Sequence, residues 1–523
     1  MATRTIGIVG TGISALHLAL FLQQQGIRTT LYTDKTPEQI RAGRIPNNVC
    51  RFGRTRARER ALGIDHWDFT DFGMSCAHVR VRTDPPIAFC GNLTHEASFV
   101  DFRIYLPRLV ADYRDRGGAV VAIPDVGAAV ARYRDDHDLI VVAAGGVGID
   151  ALFPRVESRS AERPARILLA GLFHGVAHTE PMGMHLEIVP DAGEIFQTPV
   201  HSVTGRVAGI TFEAVPDGPW ASRLRDRYYD DPDACARVVL ELLRDIDSEI
   251  LGRIDVRRFA LTRPLDLLQG SITPTVRRPW ARLGPNTYAV AVGDAAVLND
   301  PVTGQGGNLA SAAAWELGQT ILADPVFDER FCRTWESTLW NLAADVTEWT
   351  ASALGPPPDH VVALLRAAGQ SQDLADAFLD NFDAPKAMWN SLATPRRATA
   401  FMRRVTSDLV AEAPDHTVVD RERQLLDALA GDDIRALHPF VASDGILVTE
   451  DGCHSRDNWQ KAVEPTCTPD RPAGFSVLRP ADATLLVTYR QGSLHCSTLW
   501  RRDRPDSWVA VVHHRSPAPS ELP

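Results

Sequence analysis

Two glycine-containing stretches, far apart in the chain, have the residue types needed to hold a phosphorylated ligand. The first is Ile6-Gly7-Ile8-Val9-Gly10-Thr11-Gly12-Ile13-Ser14-Ala15. Gly10 permits a tight turn and Gly12 lets backbone approach a pyrophosphate. Ala15 is small enough for the following helix to pack on its strand. Asp34 follows about twenty residues later at the end of a second apolar run, where a carboxylate can accept a ribose hydroxyl. The second stretch is Gly293-Asp294, followed by Asp300-Pro301-Val302-Thr303-Gly304-Gln305-Gly306-Gly307-Asn308. It opens a helix whose free N–H groups and positive dipole end suit an anion or an electron-rich carbonyl. One such loop is a weak signal. Two of them describe a long dinucleotide gripped at both ends, which points to FAD, since simple NAD folds need only the first loop.

The elements around these stretches must place them on one sheet. Ile6 to Val9 reads as a buried parallel strand, with a helix to Gly26 and a second strand from Thr29 to Tyr32. Leu139 to Ala144 reads as another buried strand, ending at Gly145-Gly146, and Tyr288 to Val292 as a further one before Gly293. The arginine-rich segment Arg41 to Arg60, with Asn47 and Asn48 at its centre, is either a solvated face or an approach to the cofactor through Arg44. Val79 to Arg82 and Ile87 to Cys90 read as strands about Asp84-Pro85-Pro86, and Asp101 caps a helix to Arg116. Residues 166 to 290 alternate as antiparallel strands (Ile167 to Leu172, His185 to Val189, Val207 to Ala214) interrupted by a helix, Pro232 to Arg244. Residues 328 to 410 are helical, with Trp335, Trp340, Trp349 and Trp389 as packing residues.

Composition bounds the function classes. A chain of 523 residues exceeds one ordinary core, so several domains are expected. No apolar run is long enough for a membrane span, and the N-terminus is already a strand, so no signal peptide is expected. The cysteines at 50, 76, 90, 235, 332, 453, 467 and 496 form no CxxC pair, which fits reduced thiols in the cytoplasm. A net charge of −11 without a basic stripe argues against nucleic acid.

Taken together, IGIVGTGISALHLALFLQQQGIRTTLYTD, RIPNNV, VDFRIYLPRL, LDLLQGSITP and GDAAVLNDPVTGQGGNLASAAAW resemble the FADH2-dependent epoxidase component of styrene and indole monooxygenases, in unbroken order over about residues 4 to 405. The resemblance implies an α/β fold of the aromatic hydroxylase kind: an FAD-binding Rossmann-type domain (1–165 and 285–327), an inserted mixed β-sheet substrate domain (166–284) and a helical region completing the core (328–410). It implies a two-component system, in which a separate NADH-dependent flavin reductase supplies FADH2. The flavin then reacts with O2 to give a C4a-hydroperoxide, and its distal oxygen passes to an electron-rich double bond. The residues support this independently. The mid-chain strand ends in Ala143-Ala144-Gly145-Gly146-Val147-Gly148 without the Asp-Gly that single-component hydroxylases use, and no second nucleotide fingerprint is present.

By resemblance, Asn47, Pro301, Gln305 and Gly306 meet the flavin ring and the reacting oxygen. Gly10, Gly12, Ala15, Asp34, Arg44, Arg103, Gly293, Asp294, Gly304, Gly307 and Asn308 are expected to bind the cofactor. Val49, Met74, Ala77 and Ala97 are expected to line the substrate pocket. Met and Ala replace the family's Tyr, His and Ser there, which favours indole or a substituted indole over styrene. No metal is expected. Residues 415–523 are an addition, and ERQLLDALAGDDIRALHPFV with STLWRRDRPDSWVAVVHHRSPAP resembles the SnoaL-like α+β cone. His513 and His514 alternate along a strand, so only one faces inward. A cytoplasmic homodimer is expected. The alternatives are a self-sufficient NAD(P)H hydroxylase, a flavin halogenase (disfavoured by the lack of W-x-W-x-I) and a non-catalytic flavin-binding protein.

Overall fold

In the computed structural model the described residues are 4–67, 73–145, 149–285, 287–324, 326–406, 416–429, 434–449, 452–459, 472–481, 484–492, 494–504 and 507–517. Gly146, Val147 and Gly148 of the mid-chain strand end, together with Ala483 and Ser493, lie outside them. The chain divides into two compact units, Met1–Met402 and Arg403–Pro523.

The first unit holds two large sheets. One has strand order β15-β16-β7-β1-β2-β6: β1 (Thr5–Val9), β2 (Arg28–Thr33), β6 (Ala119–Ala122), β7 (Leu139–Val142), β15 (Trp280–Arg282) and β16 (Tyr288–Ala291). All neighbours are parallel except β15. β1, β7 and β16 are continuous apolar runs because helices cover both faces of a parallel sheet. Ile6, Ile8, Leu139 to Val142 and Ala289 to Val292 are all buried. The helix Ile13–Gln24 packs on the helix Gly306–Ala323, where Phe21 meets Gly318.

The second sheet runs β12-β8-β11-β10-β9-β4-β5-β3, with β13 also on β8. Its strands are β3 (Cys50–Arg51), β4 (Gly73–Val81), β5 (Ile87–Phe99), β8 (Ile167–His174), β9 (Gly183–Val189), β10 (Gly193–Ser202), β11 (Gly205–Ala214), β12 (Ala260–Leu261) and β13 (Leu267–Gly270). Here the structure corrects the sequence-based division. β3, β4 and β5 fall within the segment expected to belong to the FAD-binding domain, yet they extend the substrate sheet through a parallel pairing of β4 with β9. β10 was not recognised as a strand. Its Pro199 and polar Glu194, Gln197 and Thr198 mask the alternation, while its pairing with β9 and β11 supplies the order. A small ribbon pairs β14 (Thr275–Val276) with β17 (Val297–Leu298). On one side of the sheet, Ile195, Ile210 and Phe212 pack against the helix Pro232–Asp245, whose apolar stripe includes Val239, Leu242 and Leu243. Its cap is Asp231, which accepts from the Ala234 N–H, and Pro232 starts the first turn.

The helices Glu329–Ala353, Asp359–Ala368, Gln372–Asp380 and Pro385–Leu392 close the unit. Trp335 is fully buried and donates its indole N–H to the Ala291 carbonyl at 3.0 Å, so it packs as expected. No helix among the described residues is long and apolar enough to cross a membrane.

The second unit contains the helix His416–Leu429 and a six-stranded sheet whose central strands are Val441–Thr449, Ser507–Pro517 and Leu494–Arg504. His513 is the inward member of the His513–His514 pair. It lies 2.7 Å from Thr498 Oγ1, which donates to the buried Glu422 at 2.6 Å. Burial drives the His513 imidazole down to about 3, so it is neutral, and raises the Glu422 carboxyl to about 7.

The contact of Phe21 with Gly318 joins the two helices that follow the glycine loops. A Cβ on Gly318 would lie 2.4 Å from the Phe21 ring. Gly318→Ala is expected to destabilise the protein by about 1–3 kcal/mol, the usual range for overpacking, despite the higher helix propensity of alanine. Denaturant unfolding of the two proteins measures it.

Candidate functional site: a dinucleotide cradle beside an apolar cleft

The first glycine loop is shaped as its residues require. Gly10 has φ +118°, and its N–H donates to the Tyr32 carbonyl at 2.8 Å. A Cβ there would meet Ala144 Cβ at 3.0 Å and Ala143 backbone at 3.1 Å. Gly12 caps the helix Ile13–Gln24 and, among the described residues, has only the Ala143 carbonyl oxygen, at 4.0 Å, near its missing side chain. Ala15, in the first turn of that helix, is fully buried. Asp34 is exposed just past β2.

The second loop reaches the first directly. Gly293 has φ +64°, and a Cβ on it would sit 2.6 Å from Ser14 Oγ. The adjoining Asp294 is exposed, yet desolvation by the surrounding protein raises its carboxyl against the opposing pull of Arg277. Gly304 adopts the left-handed conformation at φ +66°, and neither it nor Gly306 has an atom within 4 Å of a would-be Cβ. The helix Gly306–Ala323 begins at Gln305 without a side-chain cap, so its first-turn N–H groups are free to receive an acceptor. Gly307 faces Val49, whose Cγ1 would lie 2.5 Å from an added Cβ. The buried Asn47 Oδ1 has no hydrogen-bond partner among the described groups. Uncapped N–H donors, an unpartnered amide oxygen and glycines where backbone must be approached fit a flavin dinucleotide.

Three expected cofactor residues are engaged elsewhere. Arg44 donates to the Leu267 carbonyl at 3.0 Å and places its guanidinium 4.2 Å from the Tyr229 ring centroid, so it braces the substrate sheet. Arg103 is fully buried. It pairs with Asp101 at 2.5 Å and Asp266 at 2.6 Å, leaving no donor face for phosphate. Asn308 spends its amide on Phe52 N–H, Thr55 Oγ1, Cys50 O and Gly304 O, and so ties β3 to the second loop. Gln305 likewise donates to the Thr303 and Phe382 carbonyls and shapes the loop from behind.

Beyond Pro301 a cleft of about 1100 Å³ opens between the substrate sheet and the closing helices. Val79, Leu186, Ile188, Phe196, Val302, Thr303, Trp349, Phe378 and Phe382 line it. Trp349 therefore does more than pack: it stands edge-on to Phe382 at 5.2 Å on the cleft wall. Met74, Ala77 and Ala97 are buried but do not line this cleft. Met74 and Ala97 face each other across β4 and β5, inside the strand pair. Asn48 Nδ2 donates to Thr198 Oγ1 at 3.0 Å, fixing the 43–49 loop over the sheet.

Sequence reading missed a buried acidic group at the cleft floor. Arg166 makes a two-pronged pair with Glu194 at 2.7 and 2.8 Å. Beside it, Glu213 and Asp300 face each other, with Glu213 Oε2 and Asp300 Oδ2 lacking any N–H or hydroxyl partner among the described residues. Three carboxylates against one guanidinium require a proton between the facing pair. Burial raises Glu213 well above the usual carboxylate range and Asp300 to about 6. The available signal was Glu213 within the apolar run Val207–Ala214, where an ionisable group needs a partner.

With this geometry in hand, comparison with known proteins is decisive. The chain is 34% identical over 400 residues to styrene monooxygenase StyA from Pseudomonas fluorescens, covering 75% of this chain and 96% of the relative. A second StyA, from Pseudomonas sp, is 33% identical over 399 residues with the same coverage. The chain belongs to the styrene monooxygenase family. Residues 145–253 match the family described as "Styrene monooxygenase A putative substrate binding domain", which spans β8 to β11 and the helix Pro232–Asp245. The fold is shared with the flavin-dependent brominase Bmp2 (TM-score 0.52, 13% identity, 76% of this chain and 98% of that one). It is shared also with the flavin-dependent halogenase CmlS (TM-score 0.53, 13% identity, 81% and 79%). The matched length of 400 residues is close to that of the unit Met1–Met402.

Because Glu213 and Asp300 hold more protons folded than unfolded, they stabilise the protein at low pH. That stability is lost as pH rises from about 4 through the folded value of Asp300, about 6. Glu213→Gln supplies an amide donor to an ionised Asp300 and should flatten this slope. Thermal melts at about pH 5 and about pH 8 are expected to show the variant gaining on wild type at the higher pH.

Proposed function

We propose that this protein is the oxygenase component of a two-component, FAD-dependent monooxygenase that epoxidises an aryl-conjugated double bond. The observation that carries the reading is the joining of two glycine loops, through Gly293 and Ser14, beside an aromatic-lined cleft. Two relatives named styrene monooxygenase, matched along nearly their whole length, support it. When bound in its reduced form, FAD supplies the electrons that activate O2 and deliver one oxygen atom to the olefin.

The chain's own groups would bind, orient and exclude water. Gly12 admits the pyrophosphate, Asp34 takes a ribose hydroxyl, and Asp294 with Gly293 meets the ribityl part. The free N–H groups at Gly306 and Gly307 would hold negative charge on the flavin pyrimidine, where the helix dipole favours it. Asn47 and Pro301 would border the reacting face, Asn47 through its unpartnered amide oxygen. Phe196, Trp349 and Phe382 would seat the aromatic ring and keep the cleft dry. The Glu213–Asp300 pair holds a proton next to the Pro301 turn. Reduced flavin is proposed to come from a separate NADH-dependent reductase, since the described residues hold one nucleotide cradle. A cytoplasmic homodimer, and a SnoaL-like α+β fold for residues 415–523, are parts of the same proposal.

The indole preference rested on Met74, Ala77 and Ala97, which stand outside the cleft lining, so the reading supported here is the broader class of styrene- and indole-type alkenes. Purified protein given chemically reduced FAD and O2 is expected to convert styrene to its oxide, with no NADH consumption when reductase is left out. Steady NADH oxidation by the isolated protein would instead indicate a self-sufficient hydroxylase. Gly12→Val should abolish FADH2 binding while circular dichroism shows an intact fold. Unchanged flavin affinity in that variant would remove the basis of the proposal.

Shape selection should follow the cleft lining. Leu186→Phe is expected to change the styrene-to-indole ratio of kcat/KM by about 10- to 200-fold, the worth of about 1–3 kcal/mol of steric fit. Ala77→Ser should leave the ratio near that of wild type. Product analysis with both substrates and excess reduced FAD checks the pair.

A further inference from the structure

The substrate sheet has a second polar constellation on the side of β4 opposite the cleft. Val79 and Val81 face the cleft, so Cys76 and His78, alternating with them, face away from it. Cys90 on β5 stands directly opposite His78. Cys76 Sγ lies 3.9 Å from His78 Nε2 and Cys90 Sγ lies 3.8 Å from the same nitrogen. The three atoms all fall within 4.8 Å of one another. A cation bound at about 2.3 Å to each sulfur and about 2.05 Å to the nitrogen, in the tetrahedral arrangement zinc adopts, sets each S···N separation at about 3.6 Å. Both S···N separations therefore stand within about 0.3 Å of ligand spacing.

The surroundings favour that arrangement. Gly183 on β9 pairs with Cys76, and a Cβ there would lie 2.6 Å from Cys76 Sγ, so only glycine leaves the sulfur its place. The His78 ring is held against His185, with centroids 4.3 Å apart and planes within 5°. His185 is in turn fixed by Arg253 Nη1 at 2.5 Å from its Nε2. Cys76 is buried while His78 and Cys90 are half-buried, so an ion and a water ligand can enter from solvent. Two thiolates also balance the charge of a divalent cation, their protons passing to solvent on binding.

We propose that Cys76, His78 and Cys90 bind one Zn2+ ion, with water as fourth ligand, and that the ion clamps β4 to β5 behind the cleft wall. Soft sulfur with imidazole selects Zn2+ over Mg2+ or Ca2+, which prefer oxygen. The site is structural and takes no part in oxygen transfer.

The full chain, stripped with a chelator and kept reduced, is titrated with Co2+ as a spectroscopic stand-in. One equivalent should give a thiolate-to-cobalt charge-transfer band that Zn2+ bleaches. Cys76→Ser and Cys90→Ser should each lose the band and weaken Zn2+ by more than the about 10–100-fold that loss of a merely supporting residue costs. Cys453→Ser, at an exposed cysteine of the second unit, should keep it. Absence of the band in wild type, or its survival in both ligand variants, overturns the proposal. If the ligand variants do not fold, alkylation of native wild type decides. Zn2+ should slow modification of Cys90 by at least about tenfold relative to Cys453. Equal rates with and without Zn2+, or recovery of Cys90 in a disulfide with Cys76, would overturn it.

Discussion

The architecture of the first unit depends on a missing methyl group. Gly293 follows β16, and Ser14 lies in the first turn of the helix after β1. A Cβ on the glycine would close to 2.6 Å from the serine hydroxyl. That approach fixes the distance between the two glycine loops. Everything around it can be read as support for the contact. Trp335 pins the carbonyl of Ala291 at the end of β16, and Asn308 ties the second loop to Cys50 and Thr55. The helix Gly306–Ala323 is pressed onto the helix Ile13–Gln24 at Gly318. The left-handed conformation of Gly293 adds a second reason for glycine at that position.

The sequence made the glycine loops and the parallel strands legible because both are local. A tight turn needs glycine within a few residues, and a doubly covered strand shows itself as an unbroken apolar run. Trp335 and the helix Pro232–Asp245, with its Asp cap and first-turn proline, were legible for the same reason. What was not legible depends on pairing across long separations. β4 joins β9 in parallel, and nothing within Gly73–Val81 announces that partner. The arginines at 44 and 103 showed how little residue type reveals about direction. Either could have met phosphate, but the partners provided by Asp101, Asp266 and the Leu267 carbonyl decided otherwise.

Buried polar networks account for most of the remaining differences. Glu59 receives the Tyr105 hydroxyl at 2.7 Å and Arg51 at 2.6 Å, and Tyr105 meets His17 at 2.7 Å, all deep in the core. Such a network costs desolvation, offset by its ion pair and hydrogen bonds, although Arg51 Nε has no partner among the described residues. Burial and the Arg58 and Arg51 charges hold His17 down to about 3, so this histidine serves as a neutral link between helices and not as a titrating group. The Glu213–Asp300 pair differs because its demand is met only by a proton, and it sits where the cleft reaches the Pro301 turn.

The exchange of strands between the two sheets has a consequence for how the chain reaches its fold. The chain visits the parallel sheet with β1 and β2, crosses to the mixed sheet for β3 to β5, returns for β6 and β7, crosses again for β8 to β13, and returns with β15 and β16. Neither sheet is a contiguous piece of sequence, so neither can finish before distant segments have met, and loop closure must precede most of the reward. Folding of Met1–Met402 is therefore expected to be slow and all-or-none across both sheets. The stretch 145–253, cut out alone, would expose the β9 edge that β4 covers and present it to other chains.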